Sequence, residues 1–388
     1  MRTDLALLNI LSNPSKTVLS IAGIGIAIAL VFMQLGFRGA VEETATNIYD
    51  KLDFDILIRS PNYLHFVDAS QIDLGFAEEV AGLEGVESVK SLQVSIVNWR
   101  NPLGEVKAIL LLGVDPKNSP FSDENVNRVL DQLSGDNSLL MDRLSNPEFG
   151  PINKKQFDSS DIGREFEVGS QNMKIVGLYS LGAGLSANGS AIVSIDSFLR
   201  LVPTSSSQQL TFGLVKLKSP GNSAAFADSI RPRFERSEND RSIEVVCRDE
   251  VIRLELQRWI GETPVGFIFN LGALIALLVG AAIIYMVLGN DVANRLNEYA
   301  TLRAMGYSNL YLASVVLKQA LYLAMFAFAP ALIASFFLYG LTEYFAQISM
   351  KMNTKRVFWV LLATLFMCSI SGAFALKKLW KAETADLF

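Results

Sequence analysis

Histidine is almost absent from this sequence, since His65 is the only one among 388 residues. A Ser/His/Asp triad or a His-rich metal site needs imidazole groups that the chain does not supply. The sequence has no Gly-Lys pair, so it lacks the phosphate loop with which many ATPases hold nucleotide. Cys247 lies in a hydrophilic segment and Cys368 in an apolar one, so we expect no internal disulfide. These absences predict a chain with no catalytic residues and no metal site.

Charge is missing from four long apolar windows, which cover residues 17–37, 264–288, 319–342 and 357–376. Each window reaches the roughly 20 apolar residues that a helix needs to cross a bilayer. The first is longer than the apolar core of a signal peptide, so we expect it to remain as a membrane helix. Carriers driven by protons or sodium usually keep an acidic group inside the membrane. The sequence therefore predicts four transmembrane helices without an ion relay.

Lysine and arginine residues beside these windows predict the orientation of the helices. The short flanks on the side of the two termini carry eight of them, and the loop 343–356 carries three. Because cationic flanks tend to stay in the cytoplasm, we predict that both termini are cytoplasmic. The net charge of −5 gives no reason to expect a nucleic acid partner.

A hydrophilic segment, residues 39–262, separates the first apolar window from the second. Strand patterns occur in it at residues 54–60, 86–100, 210–219 and 242–247, with helical patterns after the first and the third. Two β-α-β units of this kind predict a split, ferredoxin-like sheet. Residues 101–209 carry further short strands and predict a second, strand-rich lobe inserted into the first. The predicted fold class is therefore an α+β membrane protein with four transmembrane helices and a two-lobed domain between the first two.

Both ends of the hydrophilic segment have the pattern of charged helices that continue the membrane helices outward. Close to the second window, Val251, Leu254 and Glu255 recur at helical spacing, with Arg258 beside them. We predict that the two helices form a stalk between the membrane and the outer domain.

A short charged stretch, "NEYATLRAMGYSN", lies between the second and third apolar windows. Residues 291–305 have helical periodicity, with an apolar stripe made of Val292, Leu296, Tyr299 and Leu302. Gly306 suits the position that ends such a helix, and Ser308 suits the cap of the next one. One interpretation is a helix that lies among the lipid headgroups. The other is a plug that fits a cytoplasmic partner through charged contacts at Glu298 and Arg303 and apolar anchors at Leu302 and Met305.

The stretch "NRLNEYATLRAMGYSNLYL" resembles the segment that follows the second membrane helix in MacB/FtsX-type ABC permeases. The order of one helix, a large external domain and three further helices is also similar to that family, as is the "GVDP" at residues 113–116. The resemblance covers nearly the whole chain. Within the family, the N-terminal stretch and "KLDFDILIRSP" look most like the cyanobacterial DevC-type exporter permeases.

This resemblance implies a permease subunit of an ATP-driven exporter in the inner membrane. It implies a homodimer whose coupling helices fit a separate cytoplasmic ABC ATPase dimer, so that ATP is bound by the partner and this chain needs no cofactor. It also implies mechanotransmission through the stalks to a periplasmic membrane fusion protein and an outer-membrane TolC-like channel, with glycolipid or other envelope or small-molecule cargo. The residues expected to contact the ATPase are Arg295, Glu298, Thr301, Leu302, Arg303, Ala304, Met305 and Gly306.

Two other functions stay open from the sequence. One is an FtsX-like transducer that activates an extracytoplasmic cell-wall hydrolase, and the other is a Lol-like permease that releases lipoproteins. The predicted domains are the same for all three: an N-terminus and first helix at 1–38, an external domain at 39–262 with the inserted lobe at about 101–209, and helices two to four at 263–388. The coupling helix is predicted at about 290–306.

Overall fold

The computed structural model describes residues 5–150, 155–182, 188–234, 242–346 and 350–381. The chain divides into two compact units. We call the first the helical unit, which comprises Met1–Ala40 and Glu262–Phe388, and the second the sheet unit, Val41–Gly261. The boundary at residue 40 falls inside a single long helix.

The helical unit is built from helices around an apolar core. Its helices are α1 (Leu5–Leu11), α2 (Pro14–Lys51, which continues into the sheet unit), α8 (Pro264–Asn294), α9 (Leu296–Ala304), α10 (Asn309–Ala346) and α11 (Thr354–Lys381). The four long helices α2, α8, α10 and α11 are long and apolar enough to cross a membrane, which confirms the four predicted spans. Large apolar side chains such as Phe267, Ile333 and Phe366 are exposed on their outer surfaces, as expected where lipid is the solvent.

Small residues allow these long helices to pack closely. A Cβ atom added at Gly280 of α8 would lie 2.5 Å from Met367 Sδ of α11. The same added atom would lie 3.1 Å from Cβ of the buried Ala27 of α2, and Ala327 and Ala331 of α10 are buried in the core cluster of this unit. Since lipid tails are as apolar as the side chains, close van der Waals packing of this kind is a main source of helix association in a membrane.

The sheet unit contains eleven strands and five complete helices within the described residues. The strands are β1 (Ile56–Arg59), β2 (Ile72–Asp73), β3 (Val86–Arg100), β4 (Val106–Val114), β5 (Ser138–Asp142), β6 (Glu165–Val168), β7 (Gln171–Tyr179), β8 (Ser190–Ser194), β9 (Gln209–Leu210), β10 (Phe212–Leu217) and β11 (Glu244–Cys247). The helices are α3 (Leu74–Ala81), α4 (Glu124–Leu130), α5 (Ile195–Leu201), α6 (Ser223–Phe234) and α7 (Arg248–Gln257), which a π-helical segment, Arg258–Glu262, follows.

The first lobe of the sheet unit is the split β-α-β sheet. β1, α3 and β3 form one half, and β10, α6 and β11 form the other. The strand order is β11-β1-β10-β3, and every neighbouring pair is antiparallel. Its two helices pack on the sheet through a cluster that includes Ile58, Val80, Val215 and Ile230. Chain segments far apart in the sequence thus complete a single ferredoxin-like sheet.

The inserted segment extends the same sheet instead of forming a separate one. The 15-residue strand β3 pairs with β10 through its first half and with β4 through its second half. The order then runs β3-β4-β8-β5-β7-β6, and β6 pairs back onto β3 at Trp99↔Val168 and Arg100↔Glu167. Six strands therefore close into a small barrel, filled by alternate side chains such as Trp99, Leu111 and Met173.

Candidate functional site

The connector between the second and third membrane helices lies at residues 295–308. The sequence pattern predicted one helix over about 290–306, whereas the structure divides this stretch. The long helix α8 continues to Asn294, Arg295 leaves helical geometry with φ −105° and ψ 17°, and α9 covers Leu296–Ala304. The connector is therefore a short separate helix that begins at a break.

One face of α9 is packed against the following helix. Val292 and Tyr299 are buried against Leu312 and Val316 of α10, and Leu296 and Leu302 are partly buried beside them. These residues include the four that recur at helical spacing in the sequence. The apolar stripe therefore attaches α9 to the rest of the helical unit.

The C-terminal end of α9 is fixed by a glycine motif. Gly306 has φ +93°, a conformation in which other residues are strained, and its N–H donates to the Arg303 carbonyl at 3.0 Å. The Tyr307 N–H donates to the Leu302 carbonyl at 3.1 Å, which completes a Schellman motif. Ser308 Oγ then accepts a hydrogen bond from the Tyr311 N–H at 3.2 Å and caps α10. Gly306 and Ser308 thus have the structural roles that the sequence predicted.

The opposite face of α9 is open. The exposed residues of the predicted coupling set are Glu298, Thr301, Arg303, Ala304, Met305 and Gly306. Met305 is 63% exposed, which is high for a large apolar side chain. Arg303 forms no ion pair with any residue that the structure describes. Met305 is thus exposed on the open face, and Arg303 is exposed near the C-terminal end of the helix without an ion pair among the described residues.

Two members of the predicted coupling set differ from the others. Leu302 belongs to the packed face. The Arg295 side chain is only 14% exposed, and its guanidinium bonds within the helical unit to Asp291 and Asn9. The predicted coupling residues therefore divide into an outward group and these two, which hold the helix.

A second polar site lies in the sheet unit, where the end of α2 meets the start of α7. Arg248 Nη2 donates to the Tyr49 carbonyl at 2.9 Å, and its Nη1 donates to the carbonyls of Leu52 at 3.0 Å and Phe54 at 3.3 Å. The last carbonyls of a helix have no partner within it, and a guanidinium can satisfy them. Arg248, the first residue of α7, thus links this helix to the C-terminal end of α2.

A buried cluster of polar side chains connects the same two helices. Glu255 of α7 is 2% exposed and accepts hydrogen bonds from the hydroxyl groups of Tyr63 and, at 3.3 Å, Tyr49. Arg59 Nη1 lies 3.9 Å from Glu255 Oε1, and Arg59 Nε donates to Glu244 at 2.6 Å. Burial and the neighbouring Tyr49 and Glu255 raise the pKa of Tyr63, so its hydroxyl stays protonated and donates.

The predicted stalk residues surround this buried cluster. Val251 is fully buried and Leu254 packs beside it in the core of the sheet unit. Arg258 donates to the Tyr63 carbonyl at 3.3 Å and lies 5.5 Å from the centre of its ring. The stripe on α7 therefore faces the core. Glu255 is part of this stripe, at a position where helical periodicity alone would predict an apolar residue. Tyr49, Arg59, Tyr63 and Arg248 were not predicted, because no local pattern brings them together.

Asp142 is a third buried polar group, at the end of β5. Its side chain is fully buried, with Oδ1 accepting from the backbone N–H groups of Leu144 and Leu181 and Oδ2 from that of Gly182 and from Ser190 Oγ. The Leu181 and Gly182 carbonyls accept in turn from Asn47 of α2. The carboxyl thus fixes a turn of the barrel that α2 contacts.

Comparison with known proteins gives two matches along the chain. A model of the MacB-like periplasmic core domain matches residues 17–233, more than half of the sequence, and a model of the FtsX-like permease C-terminal domain matches residues 270–384. The second match contains α9 and the connector. No curated protein sequence matches the chain.

Among solved structures, the periplasmic region of MacB from Actinobacillus actinomycetemcomitans is 11% identical, and the alignment covers 55% of this chain and 97% of that one with a TM-score of 0.36. The extracellular domain of the noncanonic ABC-type transporter YknZ from Gram-positive bacteria is 15% identical. That alignment covers 50% of this chain and 100% of the other, with a TM-score of 0.34.

Proposed function

The chain belongs to the MacB/FtsX-type ABC permease family, and from this premise we propose that it is the membrane subunit of an exporter driven by a separate ABC ATPase. The observation that carries the proposal is the connector: α9 is held on one face and at its C-terminal end, while the side chains of Arg303 and Met305 are exposed and available to a partner. A helix that is fixed in place and open on one side is suited to receive force.

The ATPase is a second polypeptide in this proposal. The chain has no Gly-Lys pair and hence no phosphate loop with which to hold ATP itself. Arg303 would meet an acidic group of the ATPase, and Met305 would fill an apolar hollow beside it. A buried, hydrogen-bonded charge contact of this kind is strongly weakened when either charge is reversed.

Transmission to the outer domain is the second part of the proposal. α2 is helical without interruption from Pro14 to Lys51, and its C-terminal end is bonded to α7 through Arg248, Tyr49 and Glu255. We assign this junction the role of keeping the two stalk helices together, so that they move as one part. The termini are cytoplasmic and the sheet unit is extracytoplasmic in this scheme.

The remaining partners follow the resemblance to DevC-type permeases. The working complex is a homodimer that joins a periplasmic membrane fusion protein and a TolC-like outer-membrane channel, and exports glycolipid or another envelope or small-molecule cargo. The FtsX-like and Lol-like alternatives differ in the partner of the sheet unit, which is a wall hydrolase in one and a lipoprotein carrier in the other.

Affinity capture of the chain from its native membranes in mild detergent tests this proposal. We expect an ABC ATPase and a membrane fusion protein among the captured proteins. An ATPase with a hydrolase or a lipoprotein carrier would replace the exporter with one of the alternatives. Absence of any ATPase would contradict the coupling role of α9 and favour a helix that lies among the lipid headgroups.

The variant Arg303→Glu tests the contact itself. We expect it to reach the membrane at the wild-type level, because Arg303 makes no ion pair with the described residues, and to lose about 2–5 kcal/mol of binding free energy to the ATPase. Capture yield and ATP hydrolysis by the captured complex are the measurements. Arg128→Glu, which reverses an exposed arginine on α4 of the sheet unit, outside the connector and the stalk helices, is the control. Normal capture and hydrolysis with Arg303→Glu would contradict the proposal.

A further inference from the structure

Arg295 lies at the break between α8 and α9, and its guanidinium points toward the N-terminal helix. Nη1 donates to Asn9 Oδ1 at 3.0 Å, and Nη2 donates to the Asn9 carbonyl at 3.0 Å and to Ser12 Oγ at 2.5 Å. Asn9 is part of α1, and Ser12 follows it in the turn that leads to α2. The planar fork of the guanidinium is thus occupied by one short segment near the start of the chain.

The same guanidinium is anchored to its own side of the break. Nε forms an ion pair with Asp291 Oδ1 at 3.2 Å, and Nη1 lies 3.4 Å from Glu298 Oε2. The second oxygen of Asp291 accepts a hydrogen bond from Gln319 Nε2 of α10 at 2.6 Å. We call Asn9, Ser12, Asp291, Arg295 and Gln319 the Arg295 clasp. It joins α1, α8 and α10 at the N-terminal end of α9.

α1 is tied to the first turn of α2 as well. The Thr17 hydroxyl donates to the Ile10 carbonyl at 2.6 Å across the turn between the two helices. Ile10 is 3% exposed and belongs to the same apolar cluster as Ile24 of α2 and Leu323 of α10. A displacement of α1 therefore acts directly on the start of α2.

We propose that Arg295 is a positioning residue that makes α1 a second output of the connector, so that motion of α9 passes through the Arg295 clasp into α1 and then into α2. This inference rests on the proposed function, in which α9 receives force from an ATPase. The buried residues on the packed face of α9 lie against Leu312 and Val316 of α10. The clasp adds a direct link from the start of α9 to α1, which leads into the helix that continues to Lys51.

Asn9 is the position that separates this role from a contact with the ATPase. It belongs to α1, outside the connector that is proposed to bind the ATPase, and it contributes to the clasp through one side-chain oxygen and one carbonyl. The variant Asn9→Leu removes the side-chain acceptor at similar size. The variant Asn9→Asp retains an acceptor and adds a charge that attracts Arg295, so it is the conservative control.

The test uses the complex captured with the partner ATPase, reconstituted in lipid vesicles, and measures its ATP hydrolysis relative to the ATPase alone. The ratio of the two rates is the stimulation of ATP hydrolysis by the permease. We expect Arg295→Gln and Asn9→Leu each to lower this stimulation about tenfold, which corresponds to the loss of a typical coupling free energy. ATPase capture should stay within about twofold of wild type, because the outer face of α9 is unchanged. Asn9→Asp should retain stimulation, and the double variant should be no worse than either single one, because both remove the same contact.

Two results would overturn the inference. Wild-type stimulation with Asn9→Leu would show that the clasp does not carry coupling. Loss of ATPase capture with Arg295→Gln, as expected for Arg303→Glu, would show that Arg295 is itself an ATPase contact. If Arg295→Gln fails to accumulate in the membrane, Arg295→Lys carries the test, because it keeps the charge and loses the planar fork. Normal capture and hydrolysis with Arg303→Glu would instead contradict the coupling role of α9, so the two failures are distinguishable.

Discussion

Buried polar side chains decide the geometry of the sheet unit at the scale of single residues. Asp142 makes no ion pair with any residue that the structure describes, and four donors surround its two oxygens. Burial raises the pKa of this carboxyl, although the hydrogen bonds from Leu144, Leu181, Ser190 and Gly182 act in the opposite direction. Because the pKa of Asp142 is higher in the folded chain than in the unfolded chain, the free energy of unfolding depends on pH.

We expect the free energy of unfolding of the sheet unit to fall as the pH rises from about 4 toward the raised pKa of Asp142. In that interval the unfolded chain has lost the proton that the folded chain still holds, so rising pH favours unfolding. Above the folded pKa the contribution is constant. Denaturant unfolding of the detergent-solubilised chain, followed by tryptophan fluorescence, to which the buried Trp99 of the sheet unit contributes, measures this dependence.

The variant Asp142→Asn isolates the contribution of this carboxyl from those of other acids. In one orientation the amide NH₂ group would face the Gly182 N–H, and in the other it would face the N–H groups of Leu144 and Leu181. Either arrangement sets donor against donor, at a cost of about 1–3 kcal/mol. The variant should therefore be less stable and should lack the Asp142 component of the pH dependence. Identical pH slopes for the variant and the wild type would show that Asp142 has the same pKa in both states of the protein.

Helix ends are the features that matter at the scale of elements. α9 is bounded by Arg295 and by the glycine motif at Gly306, and α7 begins at Arg248, which also caps α2. The middle of α7 then carries Glu255 into the buried cluster with Tyr63. The position of α9 is thus set at its two ends, and that of α7 by Arg248 at its start and Glu255 in its middle. Between these points each segment only has to remain helical.

The variant Leu256→Pro tests the need for an unbroken α7. Proline removes the N–H of residue 256 and clashes with the preceding turn, which costs about 3 kcal/mol in a helix interior. We expect an unfolding transition of the sheet unit at lower denaturant concentration and loss of stimulated ATP hydrolysis in the captured complex. Leu256→Ala, which keeps the backbone bond, is the control and should lose much less. Full stimulation with Leu256→Pro would contradict a transmitting role for α7.

At the scale of the whole molecule, the chain divides into a helical unit, whose described residues include four helices suited to a membrane, and a sheet unit that follows in the chain after the membrane-spanning part of the first of them. The insertion joins two β-α-β halves to a closed six-stranded barrel through the single strand β3. All the strands that the structure describes therefore lie in one segment of the chain. The orientation of that segment then determines the side on which the partners of the protein are found.

Cysteine labelling in intact cells measures the orientation. Glu124→Cys lies at a site whose side chain is 88% exposed in the sheet unit, and Ser308→Cys lies at the exposed end of the connector. We expect a membrane-impermeant thiol reagent to label the first variant at once and the second only after the membrane is permeabilised. The native Cys247 and Cys368 are buried and provide a low background. The reverse labelling pattern would contradict cytoplasmic termini.

The amino-acid sequence by itself determined the features that depend on neighbours along the chain. Apolar windows of sufficient length specified the four long helices, and alternating or helical periodicity specified most strands of the sheet unit. The connector stripe and its glycine end were visible for the same reason, because residues three or four apart share a face of a helix. The strand β5 was not predicted, since its sequence SLLMD does not alternate and has no β-branched or aromatic residue.

Only the tertiary structure decided which distant residues meet. Closure of the barrel depends on two residue pairs between β3 and β6, and strand periodicity does not specify which edges pair. Glu255 meets Tyr49 and Tyr63, which lie about 200 positions earlier in the chain, and Arg295 meets Asn9 across 286 positions. Periodicity relates residues within one helix or strand, whereas these contacts exist because the packing of several elements brings donors and acceptors out of water together.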